Sequence, residues 1–140
     1  MLRNLILLIG ILLFTACERE INIVPTNRDT RLVVDAEIEN GRPPLILLSK
    51  SLNFFTTIDS AELINAYVRN AVVTVQEGNT VYSMKEFELR DTSGNRFYYY
   101  SNDPLSTQQL IGQFGRSYKI NITVKGETYT AETSITLLTK

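Results

Sequence analysis

The sequence contains no histidine and no tryptophan, and its single cysteine is Cys17. Without histidine there are no His-based triads, no His-ligated zinc and no ordinary general base titrating near neutral pH. A lone cysteine forms no internal disulfide. No hydrophobic run is long enough to span a bilayer. The leading one, Leu5 to Phe14, makes about 15 Å of helix at roughly 1.5 Å per residue, whereas a spanning helix needs about 20 apolar residues. Charge of one sign is lacking too. The 14 basic and 15 acidic residues nearly cancel, and no basic stripe offers itself to nucleic acid.

What is present begins with that apolar run. Arg3 precedes it and Thr15-Ala16-Cys17 follows it. A positive start and about 7–15 apolar residues form a removable export signal. Ordinary cleavage after Ala16 wants a small residue at −3, where Phe14 is bulky. Lipoprotein processing instead requires a small residue before an obligatory cysteine, which Ala16 and Cys17 supply; its usual Leu at −3 is displaced one place, to Leu13. The expectation is a signal peptide over 1–16, acylation of Cys17 and a polar tether over 17–30. Each buried methylene of an acyl chain contributes about 0.8 kcal/mol, so two or three chains anchor firmly.

Period-2 alternation dominates the remainder. Leu32, Val34, Ala36 and Ile38 share one face, opposite Arg31, Asp35 and Glu37. Gly41-Arg42-Pro43-Pro44 turns the chain into Leu45-Ile46-Leu47-Leu48, a run expected to be buried on both sides. Strands are expected over Ala71–Glu77 and Thr80–Lys85, joined at Gly78-Asn79, and over Arg96–Tyr100, ended by Asn102-Asp103-Pro104. Tyr118, Ile120, Ile122 and Val124 alternate into a hairpin at Lys125-Gly126, and Tyr129, Ala131, Thr133 and Ile135 alternate out of it. About seven short strands argue for an all-β antiparallel sandwich over 31–140. Between Ser51 and Asn70, Asp59 and Glu62 have capping-box spacing, which leaves a short helix over Ser60–Val68 or a long loop.

Cys17-Glu18-Arg19-Glu20-Ile21-Asn22-Ile23, Arg31–Ile38, Leu47–Ser51, Asn70–Val75 and Gly126–Thr133 together resemble a family of Bacteroidota lipoproteins known as domain of unknown function 4249. The resemblance spans nearly all of the mature chain but only the N-terminal part of a typical member. Members usually continue well beyond the Ala131-Glu132-Thr133 segment, so the expectation is a fragment, a truncated gene or a short variant. The resemblance implies an immunoglobulin-like or transthyretin-like domain and an outer-membrane location. Genes of the family often neighbour TonB-dependent receptors, which implies such a receptor as partner. No catalytic or ligand residues carry over from it.

Several residues invite functional readings. Glu18 and Glu20, beside the anchor, resemble a surface-export signal, against a plain solvated tether. In Phe97-Tyr98-Tyr99-Tyr100 one alternate pair must be core. The outward pair would be a contact surface, and Tyr98 with Tyr100 are taken as the candidate ligand surface. Tyr118 after Gly115-Arg116-Ser117 resembles a tyrosine corner, in which a phenol bonds back to nearby backbone. Asp29, Asp35 and Glu37 lack the converging spacing of a hard-cation site. Ser49-x-Ser51 with Lys50 lacks the glycines of a nucleophile elbow. The expectation is a non-enzymatic accessory lipoprotein without metal or cofactor, held to the membrane through Cys17. The alternative is a glycan-type binding module using the Tyr98/Tyr100 face and the Ser51–Asn70 loop.

Overall fold

In the computed structural model, residues 30–52 and 59–137 are described. The alternating segments become β1 (Leu32–Glu37), β2 (Leu45–Lys50), β3 (Val72–Glu77), β4 (Thr80–Arg90), β5 (Arg96–Asn102), β6 (Ser117–Val124) and β7 (Glu127–Ser134), with one short helix, α1 (Ser60–Ala66), between β2 and β3. All strand pairs are antiparallel, and the seven form one sheet in the order β1-β2-β5-β4-β3-β6-β7.

The eleven-residue β4 joins the two parts of this sheet. Its first half pairs with β3 and its second half with β5; Met84 lies opposite Val73 on one side and Asn102 on the other. The sheet curls about this shared strand. Ile46 and Leu48 of β2 therefore meet Val73 and Val75 of β3, Tyr100 of β5 and Tyr118, Ile120 and Ile122 of β6 in a single core. Each is at most 7% exposed. Burial of such a side chain contributes about 1.5–3 kcal/mol, so the period-2 pattern of β2, β3, β5 and β6 is what closes the curl. Leu110 enters the same core from the loop after β5. The Asn102 side chain secures it like a missing strand neighbour: Nδ2 donates to the Leu110 carbonyl at 2.7 Å and Oδ1 accepts from its N–H at 3.1 Å.

Five elements depart from the sequence expectation. The Leu45–Leu48 run is buried on one face only: Ile46 and Leu48 are core, whereas Leu45 is exposed and Leu47 half-buried, because among the described residues only α1 lies against the outer face of these strands. β1 is an edge strand, so its core-side Val34 and Ala36 stay exposed although Leu32 and Ile38 pack on the core. β4 runs to Arg90 rather than Lys85, and β5 to Asn102 rather than Tyr100. α1 stops at Ala66 because Tyr67 turns extended, at φ −65° and ψ 135°.

The expected turns form where anticipated. Lys125 and Gly126 have φ of 51° and 86°, the pair of positive values of a type I′ turn, whose twist matches that of the strands. The Tyr118 hydroxyl accepts from the Gln113 N–H at 2.8 Å, the backward bond of a tyrosine corner.

Candidate functional site

The site is built around the short crossing from β2 to β3. Asp59 caps α1 by accepting the Glu62 N–H at 2.7 Å, as the spacing implied. A seven-residue helix is marginal alone and owes its stability to packing. Its buried Ala66 and half-buried Ile64 supply that contact. Beyond the helix, Tyr67 bridges Ser49, and the Val68 N–H donates to the Leu48 carbonyl at 2.8 Å. This fills a gap, since β2 and β5 pair only at Ile46 and Tyr100. The Tyr67 ring stands edge-on to Phe97 and Tyr98, with centroids 6.3 and 5.9 Å away.

A polar network under this crossing holds it in place. Glu86 on β4 receives the Asn70 N–H at 2.6 Å, the Tyr100 hydroxyl at 2.8 Å and Arg69 Nε at 3.1 Å. Asn70 reaches it with a positive φ of 56°. Burial alone pushes the Glu86 pKa up. The backbone N–H of Asn70, the Tyr100 hydroxyl and Arg69 outweigh that, and the carboxyl is held below its ordinary value. Burial pushes the Tyr100 phenol up to about 12, with the Glu86 carboxylate adding to the rise and the Ala71 N–H opposing it. Arg69 also lies 4.1 Å from the centre of the Tyr98 ring, a cation–π contact. The Tyr98 hydroxyl donates to Glu88, which also accepts from Arg90 at 2.9 Å. Hydrogen bonding by Arg90 lowers the Glu88 pKa, burial opposes it, and the Tyr98 hydroxyl adds to the lowering, so that the carboxyl is held below its ordinary value.

Above this network, on the outer face of the sheet, lies a groove of about 500 Å³ between α1 and strands β1, β2 and β5. Val33, Leu47, Leu63, Tyr67 and Phe97 make its apolar surface, and Asp35, Lys50 and Arg96 stand among them. Val33 and Leu63 are about half exposed, at 45% and 51%. A mostly apolar concavity with a few polar groups suits recognition of an amphipathic partner or ligand. Among the described residues no three acidic or sulfur groups converge as a metal site would require, and no helix is long and apolar enough to cross a membrane.

Cys17, Glu18, Glu20 and Asp29 lie outside the described residues. Tyr98 and Tyr100 are the inward pair, 4% and 1% exposed, which corrects their assignment to a ligand surface. The reason is cross-strand: they lie opposite Glu88 and Glu86, whose carboxylates satisfy their hydroxyls. Phe97 and Tyr99 face outward; Phe97 enters the groove and Tyr99 stacks on Phe87 at 5.3 Å. Asp35 and Glu37 share the outer face of β1. Tyr67, Arg69 and Glu86 were missed. Their only sequence signal is the shared parity of Glu86 and Glu88 with the tyrosines across the β4–β5 hairpin, and an expected end of β4 at Lys85 leaves both glutamates outside it.

Seven antiparallel strands in one curled sheet, with an open groove on the outer face, define an all-β module. The chain belongs to the family described as Domain of unknown function (DUF4249), whose family model matches residues 18–138. A search of curated proteins returns no match to the chain.

Proposed function

We propose that the protein is a non-enzymatic lipoprotein of the outer membrane that acts by contact, as an accessory module of a TonB-dependent transport system. The observation that carries this is the outer-face groove, flanked by an edge strand with apolar side chains exposed on both faces. The N-terminal pattern supports the location: a leader over 1–16, acylation at Cys17, acidic Glu18 and Glu20 as an export signal, and a tether over 17–30. Tethering would raise the effective concentration of the module near its partners without any added contact. For the domain over 31–140 we propose an immunoglobulin-like or transthyretin-like sandwich, with β1-β2-β5 and β3-β6-β7 as layers that share β4. A core drawing on both sets of strands supports that architecture.

Crosslinking in native membranes, followed by purification of the chain, tests the role. Co-purification with a TonB-dependent receptor is expected; a partner-free monomer would overturn it. Intact-mass measurement of detergent-extracted protein tests the anchor, and an unmodified Cys17 thiol would remove it. A second role, glycan binding, is favoured by Tyr67 and Phe97 in the groove, since aromatic faces stack on sugars. Glycan arrays probed with the wild type and with Tyr67→Ala and Phe97→Ala distinguish it: binding that both substitutions abolish would favour the glycan role.

A further inference from the structure

We infer that the outer edge of β1, which pairs with no other strand among the described residues, is a docking site for an extended peptide strand of a partner protein, with apolar and basic side chains alternating along that strand. This rests on the contact role proposed above and names the surface that performs it. An edge strand carries a row of unpaired backbone N–H and C=O groups that can template another strand. Edges are usually blunted by charged side chains, especially Lys, by Pro, by a bulge or by an inward charge. β1 has no Lys, Pro, bulge or inward charge, and its two charges are the outward acids Asp35 and Glu37. Its sequence is Leu-Val-Val-Asp-Ala-Glu, and its register against β2 runs unbroken from Leu32 opposite Lys50 to Glu37 opposite Leu45.

The side chains define what would fit. On the core side Val34 is 39% exposed and Ala36 is exposed beside it, so an added strand that placed apolar side chains there would extend the core by one row. On the outer face Asp35 and Glu37 make no side-chain hydrogen bond or ion pair among the described residues, so basic side chains opposite them would be complementary. Val33, on the same face at the groove margin, would give such side chains an apolar surface for their stems. A second copy of β1 would instead oppose acid to acid. The other edge, β7, is a poorer host: Glu132 is paired with Lys119 and Glu127 with the Tyr129 hydroxyl.

The test uses the full chain in non-ionic detergent and fluorescence anisotropy with labelled nine-residue peptides. One alternates valine and lysine, one alternates valine and glutamate, and a third is the lysine peptide with alternate amides N-methylated along one edge. Saturable binding of the lysine peptide is expected, with at least tenfold weaker binding of the glutamate and N-methylated peptides. In the variant carrying Asp35→Lys and Glu37→Lys the preference between the two charged peptides should reverse. Equal binding of both charge types, undiminished binding of the N-methylated peptide, no saturable binding, or a dimer joined through β1 by sedimentation would each overturn the inference. The N-methylation comparison needs only the unaltered protein, so it decides even if the charge reversal impairs folding. Receptor capture by crosslinking without peptide binding would remove the strand site and leave the accessory role standing.

Discussion

Glu86 is the residue on which the β2–β3 crossing depends. It joins a backbone N–H, a phenol and a guanidinium, so its loss would orphan several groups at once. Tyr100→Phe keeps the ring in the core but removes the hydroxyl that meets Glu86 and Ala71. A cost of about 1–3 kcal/mol is expected from the unmade bonds, read as a lower urea midpoint with an unchanged slope. The same pair sets the pH limits. Because folding depresses the Glu86 pKa, its contribution is complete above the unfolded value near 4.5 and drains away as pH falls through the lower folded value. Because folding raises the Tyr100 pKa, its contribution is complete below 10 and is lost as pH climbs towards about 12. Thermal midpoints across pH should fall at both ends, and Glu86→Gln should flatten the acid fall without abolishing it, since Asp91 and Asp103 are also held below their ordinary values. Alternation announced that two of the four residues from Phe97 to Tyr100 were core. It did not say which, because that depends on the charged row of β4 laid beside them.

The elements differ in how openly they were written. α1 was legible at its start through the Asp59 and Glu62 spacing, and illegible at its end, where a tertiary bridge to Ser49 overrides helical preference at Tyr67. Asp59→Ala should cost about 1 kcal/mol and lower helical circular dichroism, and faster amide exchange across residues 60–66 would locate the change. The second half of β4 is illegible because Glu86, Glu88 and Arg90 are charged; in the structure Tyr100 and Tyr98 opposite give Glu86 and Glu88 partners, and Glu88 pairs in turn with Arg90. The segment before β6 hides a tighter constraint. Gly112 pairs with Asn40, exchanges backbone bonds with Gly41 and Arg42, and lies so close to Glu39 that any Cβ would press into its carbonyl group. Gly112→Ala should destabilise by about 1–3 kcal/mol through this overpacking, measured as a lower melting temperature, whereas alanine at the exposed Ser93 should change little.

At the scale of the molecule, the hairpins were readable and the sheet order was not. β3–β4, β4–β5 and β6–β7 join neighbours in sequence through short turns. The insertion of β5 between β2 and β4 has no local signature, for it depends on Ile46 finding Tyr100 more than fifty positions away. The outer groove exists only because of that insertion, so it was equally hidden. That lone β2–β5 pairing also governs how the molecule comes apart. The five strands from β3 to β7 are zipped along their lengths, while β1 and β2 hold to them through one bridged pair, a few loop bonds and the core side chains of β2. Native-state hydrogen exchange should therefore resolve two cooperative units: β1–β2 amides opening at lower free energy, and β3–β6 amides only on global unfolding. Loop closure is costlier for distant segments, so the β1–β2 hairpin would be the last part to join during refolding and the first exposed to proteases under mild denaturant.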